Sequence, residues 1–278
     1  MRDDVPGVEL LNAAAADVLL LTDIDFDAGQ AALAALNDSM AFPYPHVFSK
    51  RPNSGLPTGL DLDKDGFLGG PRDAQGYGWF SGQGGQAILS RWPIRLRADY
   101  SDTLWQDSPN TAMRSEDTGR DVQRLSSTAH WAVEIAAPLG EFTLLTVGAT
   151  PPVFDGPEDR NGRRNRDEVL LWHHVLGGTF GEPIDGAAVV LGNLNLDPTR
   201  GDGIRDAVRD LLQNQRLRDP LPGLPTVEWD KVGKMRVSYV LPTTEFRVIA
   251  AGVIPPEEGA GPHGLVWADL AYHAKPGQ

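Results

Sequence analysis

The chain has 278 residues, 41% hydrophobic and 23% charged, with no cysteine and a formal net charge of −13. These values suit a soluble globular protein, remove disulfides, thiolate nucleophiles and zinc–cysteine sites, and set a general repulsion against a phosphate backbone. No apolar run approaches the roughly 18 residues of a membrane span, and the acidic, Pro-interrupted start does not read as a signal peptide. Only the stretch with Arg160, Arg163, Arg164 and Arg166 is locally basic. The expected partners are therefore a protein or a small anionic ligand, and not nucleic acid or a membrane. No compartment follows from composition, so cytoplasmic and secreted locations stay open.

In chain order, residues 18–23 (VLLLTD) read as a buried strand, a short apolar run ended by Asp. Residues 28–40 are Ala/Leu-rich, with Leu33, Leu36 and Met40 on one stripe of a helix. A long Gly/Pro-rich stretch at 51–84 precedes a second buried strand at 86–90, and another such stretch fills 106–122. In the strand predicted at 125–135, Thr128, His130, Ala132 and Glu134 alternate with Trp131, Val133 and Ile135, the pattern of a half-exposed antiparallel strand. Strands follow at 142–147 and 187–191. Between them a helix is expected at 163–176, with Val169, Trp172 and Leu176 at helical spacing and Gly177 and Gly178 as a stop. Residues 204–214 carry Ile204, Val208, Leu211 and Leu212 on one helical face, and strands at 236–241 and 265–270 close the chain.

Further long loops fall at 150–161 and 219–232; loops of such length are functional or must be tied down. Strands outnumber helices, and the helices interrupt them irregularly. A mixed two-sheet α/β sandwich in one domain, residues 1–278, fits this better than a doubly wound parallel sheet.

Within the first long loop, Asp61, Asp63 and Asp65 precede Gly66. This Asp-x-Asp-x-Asp-Gly spacing gathers three carboxylates around one point, as in calcium loops of the EF-hand type. The twelfth position holds Arg72, not Glu, with Asp73 beside it. The expectation is one Ca²⁺ held by Asp61, Asp63 and Asp65, with the Phe67 carbonyl and Asp73 or water completing the shell. An exposed acidic turn is the competing reading. Gly82, Gly84 and Gly85 lack the strand-to-helix context of a nucleotide loop and read as turn residues.

Six segments in order carry a resemblance: DVLLLTDID, GGQAILSRWPI, LLTVGATPP, VVLGNLNLDP, MRVSYVLP and GPHGLVWADL, spanning about Asp17 to Leu270. Together they resemble the endonuclease/exonuclease/phosphatase family, the DNase I-like fold, in a bacterial branch. The resemblance implies a four-layer α/β/β/α sandwich of two mixed sheets, with site residues gathered at one end. The strand that opens the family's fold is expected either to be missing or to lie upstream of Met1. Active members hydrolyse phosphate esters with Mg²⁺ or a similar ion: carboxylates hold the cation, a carboxylate base prepares water, and a His oriented by an Asp supports the leaving group.

Matched residue by residue, this chain departs from that pattern. Asp23 stands for the family's metal-binding Glu, one methylene shorter; a weakened ligand and a plain strand-end acid are both open. Asn193 stands for the base, and an amide cannot take a proton from water near neutral pH. Asn195 is retained, and both Asn residues suit a turn before Asp197 and Pro198. Ser238 replaces the orienting Asp, Pro262 the Asp of the closing motif, and Gly148 one His; His263 alone is unchanged. Arg160, Arg163, Arg164 and Asn165 match a family loop and read as an Arg/Asp lattice with Asp155, Glu158 and Asp159. The expected function is a catalytically degenerate binding or structural module with one Ca²⁺ loop. The alternative is an active Mg²⁺-dependent phosphoesterase whose rearranged site recruits Asp25, Asp197 or Asp269.

Overall fold

In the computed structural model, which describes residues 5–273, the chain opens with helix α1 (Val8–Ala14) and strand β1 (Val18–Ile24). Helix α2 (Ala31–Ser39) and strands β2 (His46–Ser49) and β3 (Gly85–Ser90) follow. β1, β3 and β2 form an antiparallel ladder in that order, with Leu19 and Val47 both opposite Leu89. Every residue of β3 is buried, as expected of an apolar run flanked on both edges and covered on both faces.

The central sheet combines β4 (Ile94–Asp99), β5 (Trp131–Ala137), β6 (Gly140–Gly148), β7 (Ala188–Asn193) and, later in the chain, β10 (Ser238–Pro242). Its order is β10-β7-β6-β5-β4. β6 and β7 run parallel, so their connection needs a crossover, which helix α3 (Arg160–Leu176) supplies. Helix α4 (Asp206–Leu212), the hairpin of β8 (Val227–Trp229) and β9 (Gly233–Met235), and the antiparallel pair β11 (Phe246–Ile254) and β12 (Leu265–Tyr272) complete the described chain.

Three apolar cores lie against these sheets and helices. Leu145, Val147, Val190 and Leu241 on one face of the central sheet pack against Val169, Trp172 and Val175 of α3 and Val208 and Leu211 of α4. Trp131, Val133, Leu144 and Val189 on the opposite face meet Ile88 of β3, Phe246 of β11 and, partly buried, Leu20 and Leu270. Leu19 and Leu89 on the far side of the small ladder receive Leu33, Leu36 and Met40 from the α2 segment. Alternation along β5, β6, β7 and β10 sends successive side chains to the first and the second of these cores. The second sheet layer is divided: β1-β3-β2 and β11-β12 are separate ladders.

Residues 125–135 differ from their predicted form. The strand begins only at Trp131, and Trp131, Ala132, Val133 and Ile135 are all buried, because β5 lies between β4 and β6 with a core on each face. Upstream, the carbonyls of Arg124, Leu125 and Ser126 accept hydrogen bonds from Arg164 instead of a neighbouring strand. β2, β4, β8, β9 and β11 were not predicted; β4 (IRLRAD) is a sheet-edge strand with two arginines that dilute its apolar signal.

The long 51–84 loop is tied down by side chains. Buried Asn53 donates through Nδ2 to the carbonyls of Ser101 (2.7 Å) and Ser126 (2.8 Å), and Gln75 donates to Val122 O (2.9 Å). Short bridges join Ser54 to Gly76 and Pro57 to Ala74. Hydrogen bonds to neighbouring segments and bridges within the loop thus hold it in place. No described helix is long and apolar enough to cross a membrane.

Candidate functional site at the strand ends

The ends of β1, β6, β7 and β10 bring the sequence-matched residues to one end of the paired sheet layers. On β1 the register slips between Thr22 and Ile24, leaving Asp23 in a bulge with φ 58°. A left-handed non-glycine residue is held there at a cost of about 1 kcal/mol or more, and a bulge re-aims its side chain. Gly84, with φ +59°, makes room: a Cβ on it would stand 2.8 Å from Asp23 Oδ1. Asp25 lies beside it and accepts the Gly84 N–H (2.9 Å).

His263 bridges to Val227 just before β12, and Trp229 presents an edge-on ring with centroids 5.7 Å apart. The Pro262 carbonyl accepts the Glu228 N–H (3.4 Å), so the segment entering β12 is fastened to β8. Burial and then the Asp25 charge push the Asp23 carboxyl above its ordinary value, with His263 opposing. Burial pushes the His263 imidazole down against the pull of Asp23. Asp23 and His263 are therefore electrostatic neighbours although 240 positions separate them in the chain (263 − 23).

In the central sheet, Asn193 is opposite Ser238 in the β7–β10 pairing and opposite Gly148 in the β6–β7 pairing. Its Oδ1 accepts the Asn195 N–H (3.0 Å), and Asn195, with φ 50°, donates through Nδ2 to the Ala149 carbonyl (2.8 Å). Both side chains thus brace the turn after β7. Asp197 does the same one turn on: Oδ1 accepts from Thr199 and Arg200, and Oδ2 from the Arg236 N–H (2.7 Å).

Sequence reasoning missed Gln86. It is 1% exposed, neither Nε2 nor Oε1 has a protein partner, and it fills the space in front of Gly148. A Cβ at Gly148 would stand 2.6 Å from Gln86 Nε2 and 3.2 Å from Thr128 Cβ. A single Gln in the otherwise apolar GGQAILS strand was the available signal. Trp229 carried no such signal, since only the approach of β8 to residue 263 brings it to His263.

The arginines of the 160–166 stretch serve the scaffold. Arg163 makes a two-pronged pair with Asp117 (2.7 and 3.0 Å) and also donates to Ala112 O (2.8 Å) and Glu158 O (3.1 Å). Arg164 is spent on backbone carbonyls, and Arg160 donates to Leu62 O (3.3 Å). The principal acidic partner is Asp117 from the 106–122 loop; of the three acids predicted for the lattice, Asp155 accepts from the Asn161 N–H instead. Glu168 is fully buried and accepts from Ser127 N (2.6 Å), Ser127 Oγ (2.7 Å) and Thr150 N (2.7 Å), joining the segment before β5 to the one after β6.

Asp61, Asp63 and Asp65 do converge, with ligand atoms within 4.8 Å of one another. Asp61 accepts the Asp65 and Gly66 N–H groups, and Asp65 the Phe67 N–H, which shapes the turn. Asp73 does not join them: it is buried, and its two oxygens accept from Leu62 N (2.7 Å) and Gly70 N (3.0 Å).

The sequence model of the Endonuclease/Exonuclease/phosphatase family matches residues 8–267. No curated protein matches the chain by sequence. Among solved structures the chain is similar to an endonuclease/exonuclease/phosphatase from Beutenbergia cavernae DSM 12333, at 18% identity and TM-score 0.64, covering 95% of this chain and 65% of that one. The chain thus spans about two thirds of that relative's length. It is also similar to the human Nocturnin catalytic domain with bound sulfate, at 15% identity and TM-score 0.52, covering 96% of this chain and 84% of that one. A mannosyl-6-phosphatase from Bacteroides thetaiotaomicron VPI-5482 gives 10% identity and TM-score 0.52, covering 95% and 89%. Identities this low speak for the fold, whereas the family match runs over nearly the whole chain. The protein therefore belongs to the endonuclease/exonuclease/phosphatase family.

Proposed function

We propose that this chain is a non-hydrolytic member of its family, a binding or structural module built on the family's sandwich. The observation that carries the reading is the pairing of Asn193 with both Ser238 and Gly148 at the strand ends, with Gln86 filling the space at Gly148. An amide cannot serve as a general base, a serine contributes no charge to an imidazolium, and a glycine supplies no group at all. Roles that act together do not fail independently, and each typically accounts for orders of magnitude in rate. Asp197 is committed to four donors in its turn, and Asp269 lies exposed on β12. Asp197 is thereby held in its turn, and Asp269 lies along β12, six positions past His263.

A second reading rests on Asp25. It stands near enough to Asp23 to raise that carboxyl, and two neighbouring acids are what a divalent cation relieves. On this reading Asp23 and Asp25 hold Mg²⁺ in an active phosphoesterase with a rearranged site. Assays of DNA and simple phosphate esters with Mg²⁺, Mn²⁺ and Ca²⁺ in turn separate the two. The expected result is no release above a no-enzyme blank. Turnover that rises with Mg²⁺ or Mn²⁺ and vanishes in Asp23→Ala defeats the non-hydrolytic reading and establishes the second.

The Asp61, Asp63 and Asp65 group suits one Ca²⁺, since its donors are all hard oxygens gathered in one turn. Water completes the shell together with the Phe67 carbonyl, because Asp73 is engaged elsewhere.

A further inference from the structure

The ladder of β1, β3 and β2 leaves one edge of β1 unpaired, and the β11–β12 pair leaves one edge of β12 unpaired. β1 contacts β7 and β12 contacts β10, and β7 and β10 are neighbours in the central sheet. Asp23 near the end of β1 is an electrostatic neighbour of His263 just before β12. β1 therefore runs towards a common end and β12 away from it. Among the described residues no ladder or bridge joins the two strands.

The strip between them is apolar and incompletely covered. Leu191 of β7 and Val240 of β10 are opposite each other, and both pack against the core under β1 and β12 yet stay only partly buried. Their chain neighbours on the other face, Val190 and Leu241, are 0% exposed. Directly opposite residues of a ladder share a face, so the pairs across β1 and β3 mark where the cover stops. Ile88 and Ser90 are sealed, whereas Leu20 and Val18 opposite them are partly exposed. Gln86 is buried, and Thr22 opposite it is exposed.

We infer that this strip takes an extended segment of another polypeptide, entering as a strand between β1 and β12. Each unpaired edge offers a row of backbone N–H and C=O groups, and an extended backbone repeats at the spacing of both rows. Side chains of an inserted strand alternate, so every second one rests on Leu191 and Val240, and those positions call for apolar residues. Its ends call for basic residues. Asp17 before β1, Asp25 after it and Asp269 on β12 are exposed, and neither strand carries Lys or Arg. A second copy has no strand to insert, since every described strand is already in a ladder. Residues 1–4 and 274–278 are too few to run along the seven residues of β1. The inference goes beyond the non-hydrolytic reading and does not rest on it, because strand edges define the strip whether or not the chain turns over a substrate.

The test uses the whole chain and a fluorescent peptide of about nine residues, with Val and Thr alternating between terminal lysines. Saturable binding is expected by fluorescence anisotropy. Hydrogen exchange should slow at the backbone amides of β1 and β12, and not at β2, β4 or β11, whose free edges serve as internal controls. A peptide with Pro for each Thr keeps the valines and the charges but cannot complete a ladder, and it should bind at least tenfold more weakly. So should a peptide with Glu for each Lys. In the protein, Val240→Lys should weaken binding tenfold or more, with its melting temperature measured alongside; the proline peptide needs no variant. The absence of saturable binding overturns the proposal, as does equal affinity for the proline peptide or protection at β2, β4 or β11 instead. Sedimentation that shows the chain dimerising without peptide, with β1 and β12 protected, assigns the strip to a second copy and overturns it too. Hydrolytic turnover would defeat the functional reading above and leave this one standing, so the two failures are separable.

Discussion

Replacing Asp117 by Ala tests what orders the 106–122 loop. The Asp117 carboxylate takes both prongs of Arg163 and the Arg114 N–H (2.6 Å), with 13% of its side chain exposed and 6% of the arginine's. Removing one partner of a buried pair costs about 3–5 kcal/mol where nothing else compensates the other charge. Arg163 would keep the Ala112 and Glu158 carbonyls and its contact with the Trp105 ring. The expected loss is therefore about 2–3 kcal/mol, at or below the lower end of that range. Urea denaturation of the parent, Asp117→Ala, Arg163→Met and the double variant gives the coupling directly, and about 1–2 kcal/mol is expected. Burial is the largest influence on the Asp117 carboxyl and raises it, but the Arg163 fork and the Arg114 N–H together outweigh it and hold the group below its ordinary value. A depressed folded value means that the contribution is complete above the unfolded value of about 3.9 and is lost as pH falls through the folded value. The stability difference between parent and Asp117→Ala should thus be flat above about pH 5 and shrink below about pH 4. A loss under about 0.5 kcal/mol, or strictly additive single variants, would refute the claim that this pair pins the loop.

His130 is fully buried, its Nδ1 facing Ser126 Oγ (2.7 Å) and its Nε2 the Glu168 carbonyl (3.1 Å), and burial pushes the imidazole down to about 4. Nitrogen-15 NMR should find it neutral and protonated on Nε2 throughout pH 5–8; because the unfolded value is higher, stability should fall as pH drops from about 6.5 toward the folded value, and a ring that titrates near its ordinary value contradicts this. Gly148→Ala should destabilise the fold by about 1 kcal/mol through crowding against Gln86 and Thr128, and Gln86→Ala should relieve most of that cost; an unchanged cost in the Gln86→Ala background would show that Gln86 is not the obstacle. Saturating Ca²⁺ should raise the melting temperature by mass action, and Asp61→Asn/Asp63→Asn should abolish the rise. If calorimetry detects no binding and excess EGTA leaves the melting temperature of the parent unchanged, the trio is only an acidic turn.

The six ordered motifs carried the family and the mixed α/β class, because a buried strand writes its covering into an apolar run and the order of such runs is a property of the chain alone. The helix faces at Leu33, Val169 and Val208 were legible for the same reason, since helical spacing is local. The missing charges at Asn193 and Ser238 were also visible, being matters of residue identity. The exposure of β5 was not legible, because it depends on which layers cover the strand; nor were β2, β4 and β11, whose pairing partners lie elsewhere in the chain. Only the tertiary structure brought Gln86 in front of Gly148, turned Asp23 out through a bulge, and set Arg163 against Asp117. Sequence records which groups a chain owns; three-dimensional proximity decides which of them neutralise one another and which remain free to bind.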